Sequence, residues 1–467
     1  MVSNREPYIH AYRNGQVQVR RPASGLTVAL DPVMRAVGGV WVAHGSGEAD
    51  SHVTDERDRI RVPPEKPAYT LKRVWLNKEQ EEGYYYGLAN SALWPLCHIA
   101  YRRPVFRAAD WDCYREVNEK FAQAVAEEVG EEKAFVFVQD YHLALLPRLV
   151  KERCPQATVA HFWHIPWPNP EVFRICPWKV ELLDGLLGND MLSFHIRYHA
   201  NNFIDTVDRE LEARPDREMT AIIYRGQTTK IRHFPISVDF ETIHWEANRR
   251  PVKLRMRELR EQLRLPTRNI GLGIDRADYT KGIPERLRAI DRFLELSPEY
   301  AGDFAFVQVA VPSRVHVEEY RRLNDEIDGL VEEINWKHGR GAWKPIVYLP
   351  QHLPPTDLLA LYRLARFCLV SSLHDGMNLV AKEFVAANVE EDGVLLLSQF
   401  TGAARELRDA LIINPFATDH LAEQIHQALT MEDDEVRRRM RRLRDTVRER
   451  NIYKWAGDII RKLGRLV

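Results

Sequence analysis

The stretch Ile270-Gly-Leu-Gly-Ile-Asp-Arg276-Ala-Asp-Tyr-Thr-Lys281-Gly-Ile-Pro-Glu-Arg-Leu287 reads as a strand, a charged loop and the opening turn of a helix. Its apolar run does not alternate, so the strand is expected to be buried on both faces, in a parallel sheet covered by helices. Similar runs recur downstream at 304–309, 346–349, 367–370, 394–397 and 411–413, and upstream at 134–138, 158–162, 191–194 and 231–234. Helical patterns separate them, which makes βαβ units and an α/β fold. Two Rossmann-like halves are the expected architecture, and in such sheets ligands sit beyond the carboxyl ends of the strands.

The break between the halves is read after Pro235-Ile-Ser-Val-Asp239. A polar, Arg-rich helix over 251–263 and Leu265-Pro-Thr-Arg268 then lead into the strand at 270. Domains 1–238 and 239–467 are expected, at the lower end of the two to three that 467 residues predict. Charge is balanced, with 66 Lys and Arg facing 67 Asp and Glu, a formal net charge of −1. That argues against bulk affinity for nucleic acid or an anionic membrane, so any bound anion must meet a local cluster of cations. The five cysteines, Cys97, Cys113, Cys154, Cys176 and Cys368, are widely spaced and form no C-x-x-C pair. A disulfide framework and a zinc knuckle are both disfavoured, and a reducing cytoplasm fits. No apolar core follows the N-terminus and no run nears the ~18 apolar residues of a membrane span, so a soluble cytoplasmic protein is expected.

The C-terminal segment carries Arg437, Arg438, Arg439, Arg441, Arg442, Arg444, Arg448 and Arg450. Its apolar positions Val436, Met440, Leu443 and Val447 form one helix stripe, so the arginines are expected on a solvated face. Thr430 and Asp433 have the spacing of a capping box at its start.

In the opening stretch Arg276 and Lys281 would project from one strand-to-helix loop, with Gly282 permitting close backbone approach. Two fixed cations, free N–H groups and a helix N-terminus are how a diphosphate is held. Gly271-x-Gly273 does not complete G-x-G-x-x-G and no Walker motif occurs, so dinucleotide and P-loop readings are weak. Exposed salt bridges are the competing reading of this segment alone. A second cluster, Asp375-Gly376-Met377-Asn378-Leu379-Val-Ala-Lys382-Glu383, follows the run at 367–370. Asp375 and Asn378 suit sugar hydroxyls, Gly376 exposes successive N–H groups, and Glu383 can accept both hydroxyls of a ribose. A plain Asp-Gly turn capping a core helix is the alternative. Val138-Gln-Asp140-Tyr141-His142 and His161-Phe-Trp-His164-Ile-Pro-Trp-Pro168 both stand at strand ends. His161 and His164, three apart on what reads as a strand, would face opposite sides, so zinc is rejected there.

These motifs resemble the retaining glycosyltransferases of the trehalose-6-phosphate synthase family. The likeness covers most of the chain. It runs through Ser3-Asn-Arg5, Ser24-Gly25-Leu26, Asn90-x-x-Leu93-Trp94-Pro95, Asp140-Tyr-His142 and His164-Ile-Pro166. It continues through Arg276-x-Asp-Tyr-x-Lys281-Gly282, Ser313-Arg314, the block from Asp375 to Glu383 and Leu397-Ser-Gln-Phe-x-Gly-Ala403. The resemblance implies the GT-B fold, with two Rossmann-like domains whose parallel sheets face a central cleft. The N-terminal domain would bind the acceptor and the C-terminal domain the donor, with the C-terminal helix packing back on the N-terminal domain. It implies transfer of glucose from a nucleoside-diphosphate glucose (UDP- or GDP-glucose) to glucose 6-phosphate, giving α,α-trehalose 6-phosphate with retention. Glycerol 3-phosphate as acceptor is the nearest alternative, and Asn4-Arg-Glu-Pro-Tyr8 is similar to the related glucosylglycerol-phosphate synthases.

Site roles follow from the same resemblance. Arg276 and Lys281 would hold the donor diphosphate and Glu383 the ribose. Asp375, Gly376 and the backbone of Met377, Asn378 and Leu379 would hold the donor glucose and phosphate, with Gly25 on a loop folding over the diphosphate. Arg5, Tyr85, Trp94, Asp140, Tyr141 and Arg314 fall at acceptor positions, Arg5 and Arg314 suited to its phosphate. Arg276, Lys281, Asp140 and His164 form the implied catalytic group. The resemblance implies no metal, no cofactor beyond the substrates, and no nucleic-acid or membrane partner; homo-oligomers, dimers or tetramers, are frequent in the family. Two departures fall in the N-terminal half: Ser24 stands where the family has Gly, and His44-Gly45 where it has a second tryptophan after Gly38-Gly39-Val-Trp41. The strand before Ser3 is expected to be short.

Overall fold

Five of the apolar runs, at 158–162, 191–194, 346–349, 367–370 and 411–413, become strands of those bounds, and the others become strands whose ends shift or extend. A computed structural model describes residues 1–22, 25–314 and 317–466, so Ser24 lies outside the described residues. The chain forms two compact units, Met1–Ile236 with Ile452–Val467, and Ser237–Asn451.

In the first unit the strands are β1 (Val2–Arg5), β2 (Ile9–Arg13), β3 (Gln16–Arg20), β4 (Val40–His44), β5 (Arg59–Val62) and β6 (Tyr69–Val74). They continue with β7 (Phe135–Gln139), β8 (Thr158–Phe162), β9 (Met191–Phe194), β10 (Arg214–Asp216), β11 (Ala221–Tyr224) and β12 (Gln227–His233). Ten of them, all but the β2–β3 hairpin, form one sheet in the order β10-β11-β12-β9-β8-β7-β1-β4-β6-β5. The inner strands are parallel, and the order reverses at β1 and β7, the switch point of a doubly wound sheet. The expectation of a parallel sheet needs one correction, because β5, β10 and β11 are antiparallel. Short connections force this. Arg225 and Gly226 both take positive φ, 49° and 78°, and close β11 onto β12 as a two-residue hairpin. Strands β1 and β6 escape a reading by apolar runs because polar side chains (Ser3, Lys72, Arg73) are buried on them, whereas β4 is apolar through Val40-Trp-Val-Ala43.

The second unit holds β13 (Ile270–Arg276), β14 (Ala305–Val311), β15 (Ile346–Leu349), β16 (Phe367–Val370), β17 (Val394–Ser398) and β18 (Leu411–Ile413). All pairs are parallel, in the order β15-β14-β13-β16-β17-β18, so the switch point lies between β13 and β16. Every residue of β16 is buried, and each large side chain there contributes about 1.5–3 kcal/mol. Gly271 and Gly273 serve packing: a Cβ on Gly271 would meet the rings of Phe367 and Phe306, and one on Gly273 the guanidinium of Arg286.

The helix Asp433–Glu449 buries the expected stripe Val436, Met440, Leu443 and Val447, and also Arg444. Arg444 Nη1 donates to the carbonyls of Val385, Ala386 and Asn388 at 3.0, 3.1 and 2.7 Å, satisfying the C-terminal end of the helix Leu379–Ala387. Other arginines of this helix pair with Glu391, Asp409 and Glu435. The capping-box reading is corrected: Thr430 ends the preceding helix, its hydroxyl bonding back to the His426 carbonyl at 2.9 Å, and Glu432 is the N-cap. This helix belongs to the second unit, whereas Ile452–Leu463 belongs to the first. No helix among the described residues is long and apolar enough to cross a membrane.

Candidate active site

In the second unit the candidate residues leave the carboxyl ends of β13, β14 and β16. Arg276 is the last residue of β13, and the turn Tyr279–Lys281 follows. Gly282 then takes φ 62°, with a Cβ position only 2.3 Å from the Ser371 carbonyl oxygen, so glycine alone fits. The helix Ile283–Leu296 starts behind it, and its buried Arg286 donates to Asp275 at 2.7 Å and to the Ser371 hydroxyl at 3.0 Å. Ser371 in turn reaches the carbonyls of Lys281 and Gly282 at 3.0 and 2.9 Å. The Lys281 loop is thereby tied to the end of β16 from below.

Lys281 Nζ meets Asp375 Oδ2 at 2.6 Å, and Ser372 and Asn378 donate to the same oxygen at 3.2 and 3.3 Å. Asn378, at φ 78°, caps the helix Leu379–Ala387 by accepting from Ala381 N at 3.2 Å. A Gly376-Met377-Asn378 turn at a helix N-terminus presents N–H groups and a favourable dipole to an anion. Glu383 lies within that helix and accepts from the Tyr362 hydroxyl at 2.8 Å; burial pushes its carboxyl above the ordinary range, against the pull of that hydrogen bond. The structure therefore brings Arg276, Lys281, Asp375, Gly376, Met377, Asn378, Leu379 and Glu383 to one switch point. Arg314, after β14, joins them in this unit, buried and bonded to Asp278 at 3.1 Å.

The first unit gathers the other candidates at the ends of β1, β7 and β8, neighbours in its sheet. Arg5 Nη2 donates to the Tyr85 hydroxyl at 2.6 Å, and the Tyr85 ring stacks on His142 at 5.6 Å. Asp140, just after β7 and at φ 71°, accepts from the backbone N–H of Tyr141 at 3.0 Å and of His164 at 3.2 Å. Trp94 and Tyr141 are buried, their rings 5.8 Å apart, and Tyr141 donates to Asn90 at 3.0 Å. His164 corrects the strand reading: β8 ends at Phe162 and His164 lies in the loop beyond. Its Nε2 contacts Gln139 Oε1 at 2.8 Å, and burial, aided by His195 and His161, holds its pKa well below the usual value. A neutral ring bonded through Nε2 keeps Nδ1 for another partner. His44, the register partner of Arg5 on the neighbouring strand, is likewise held neutral, pushed by burial down to about 4. Gly25 is corrected too: it is not in a loop but opens the helix Gly25–Val37.

Sequence reasoning missed Tyr362, Ser371, Arg286 and Gln139, which touch candidate residues only through the fold. Among the described residues no group of three or more His, Cys, Asp or Glu side chains is placed to hold a metal ion. The carboxylates of Asp110-Trp111-Asp112, spaced as metal ligands often are, stand two apart within the helix Ala108–Val129 and face away from each other.

Known proteins share this fold. The chain is 38% identical to a trehalose-6-phosphate synthase of Mycolicibacterium vanbaalenii, over 98% of this chain and 94% of that protein. An alpha,alpha-trehalose-phosphate synthase (UDP-forming) from Burkholderia xenovorans, in complex with glucose-6-phosphate, superposes with a TM-score of 0.88 at 30% identity, covering 99% of each chain. A trehalose-6-phosphate structure from E. coli bound with UDP-2-fluoro glucose gives a TM-score of 0.87 at 30% identity, covering 100% of this chain and 99% of that one. The sequence profile of glycosyltransferase family 20 matches residues 1–465, and the chain belongs to that family.

Proposed function

We propose that this chain is a retaining glucosyltransferase that moves glucose from a nucleoside-diphosphate glucose to glucose 6-phosphate, making α,α-trehalose 6-phosphate. The observation that carries the reading is the convergence of Arg276, Lys281, Asp375 and a helix N-terminus at the β13–β16 switch point. The relatives named above support the same acceptor, and none of them favours glycerol 3-phosphate.

Breaking the anomeric C–O bond leaves negative charge on the β-phosphate and oxocarbenium character on the sugar. Arg276 and Lys281 stabilise that leaving charge, at about 1.5–3 kcal/mol for each charge-assisted hydrogen bond. Bonds that strengthen in the transition state convert into rate. Glu383 takes the ribose, and Asp375 with the 376–379 backbone takes the glucose and phosphate. Retention normally suggests a carboxylate nucleophile. Here the departing phosphate takes the acceptor's proton on the same face, so no nucleophile is assigned. His164, neutral, hydrogen-bonds the donor sugar without adding charge, and Asp140 is fixed for an acceptor hydroxyl by its two backbone bonds. Arg5 with Tyr85, and Arg314, are assigned to the acceptor phosphate, with Trp94 and Tyr141 behind the acceptor. The reading includes UDP- or GDP-glucose as donor, no further cofactor, a cytoplasmic setting and a homo-oligomer.

The test offers glucose 6-phosphate and glycerol 3-phosphate together with UDP- or GDP-glucose, and identifies the product by mass. Trehalose 6-phosphate is expected. Unchanged turnover in Arg276→Ala and Lys281→Ala would remove the donor assignment.

A further inference from the structure

We infer that Asp278 is a positioning residue that holds the donor-diphosphate loop with one carboxylate oxygen and the acceptor-phosphate arginine with the other. The inference rests on the assignment of Arg314 to the acceptor phosphate made above. Asp278 is fully buried. Its Oδ1 accepts from Thr280 N at 3.0 Å and from the Thr280 hydroxyl at 2.9 Å, and its carbonyl accepts from Lys281 N at 3.0 Å. These bonds shape the turn Tyr279–Lys281 and so aim Lys281. Its Oδ2 accepts from Arg314 Nη1 at 3.1 Å and from the Tyr320 hydroxyl at 3.2 Å, and Arg314 also donates to that hydroxyl. The three groups close a triangle that leaves the guanidinium one orientation.

Topology explains why one residue can do both. Strands β13 and β14 are adjacent and parallel, and Ala277 N donates to the Val311 carbonyl at 2.8 Å just past their paired ends. The loops carrying Lys281 and Arg314 therefore leave the sheet side by side. Arg314 sits at φ 50°, a left-handed conformation that costs a non-glycine residue energy and persists only where the surroundings dictate it. Charge points the same way. Burial alone would push the Asp278 carboxyl up, but Arg314, Arg276 and Lys281 together hold it below the ordinary range, so it stays an anion among three cations. A neutral amide would keep the shape and lose the attraction.

Steady-state kinetics on the full chain, varying UDP-glucose and glucose 6-phosphate separately, test this. Asp278→Asn is expected to raise both KM values, each by about tenfold or more, since each loses a charge-assisted bond. Thr280→Val is expected to raise the donor KM alone and Tyr320→Phe the acceptor KM alone, each by roughly threefold. An Asp278→Asn enzyme in which only one KM moves, or neither, overturns the inference. If that variant does not fold by circular dichroism, the two half-variants decide: unchanged KM values in both, or the two moving together in either, overturn it. Arg314→Ala checks the acceptor assignment separately. An unchanged glucose 6-phosphate KM there removes the assignment and the inference with it, whereas a raised one beside an unaffected Asp278→Asn removes the inference alone.

Discussion

Replacing Gly402 by alanine should damage the donor site from behind. Gly402 opens the short turn Gly402–Arg405 after β17, and the segment it begins brackets the Asp375–Met377 backbone. Asp375 N donates to the Phe400 carbonyl at 3.1 Å, Gly402 N to the Asp375 carbonyl at 3.2 Å, and Ala403 N to the Met377 carbonyl at 3.0 Å. A Cβ on Gly402 would stand 2.0 Å from the Gly376 oxygen, and real Cβ atoms essentially never come within 3.0 Å of another atom. The two segments must therefore part by at least about 1 Å, and the element that moves is the turn presenting N–H groups to the donor. A displacement of about 1 Å at a reacting geometry costs roughly 100-fold in rate, equivalent to about 2.7 kcal/mol of transition-state stabilisation. Overpacking lowers stability by about 1–3 kcal/mol as well. The assay is kcat/KM for UDP-glucose beside a thermal melt. Gly329→Ala is the control, because it lies in the helix Glu318–His338 with nothing near its Cβ position, and it should be neutral or slightly stabilising. A Gly402→Ala enzyme that folds and keeps kcat/KM within about threefold of the parent would refute the reasoning.

Three further outcomes are expected. Tyr362→Phe removes the hydrogen bond that favours ionised Glu383, whose carboxyl already stands above the ordinary range through burial. The acid limb of donor binding, where Glu383 takes a proton, should move to higher pH, and donor KM measured against pH checks it. Glu6, buried beside Asp50 and paired with Arg73 at 3.0 Å, is pushed by burial from 4.5 to about 8. In that window the folded chain keeps a proton that the unfolded chain releases, so this contribution is complete below about 4.5 and is lost as pH rises through about 8. Melting temperatures should show that decline, and Glu6→Gln should flatten it. Lys382 and Glu406 form a buried pair at 2.6 Å, with Arg450 3.3 Å from the same carboxylate. Lys382→Met should cost about 3 kcal/mol in denaturant unfolding by stranding Glu406, and Lys382→Met with Glu406→Leu should recover most of it.

Much of the second unit was legible in the sequence because its four central strands, β13, β14, β16 and β17, are buried on both faces and so appear as apolar runs. Half of the first unit was not. β6 buries Lys72 and Arg73 among apolar neighbours, and Arg73 is tolerated because the Asp50 carboxylate neutralises it at 2.9 Å. Such strands carry no pattern until their partners are in place. Gly271-x-Gly273, set aside on sequence as an incomplete ligand motif, makes room for two aromatic rings and for Arg286.

By itself the sequence determined the α/β class, the strand-to-helix loops bearing Arg276, Lys281 and Asp375, and the family to which those motifs point, because each is a local pattern of spacing and polarity. Tertiary structure alone decided which side chains serve those loops. Asp278 reaches Arg314 across 36 positions, Tyr362 reaches Glu383 across 21, and Arg286 reaches Ser371 across 85. The physical reason is that a parallel sheet aligns the ends of strands far apart in the chain, and hydrogen bonds form between whatever the alignment brings within about 3 Å.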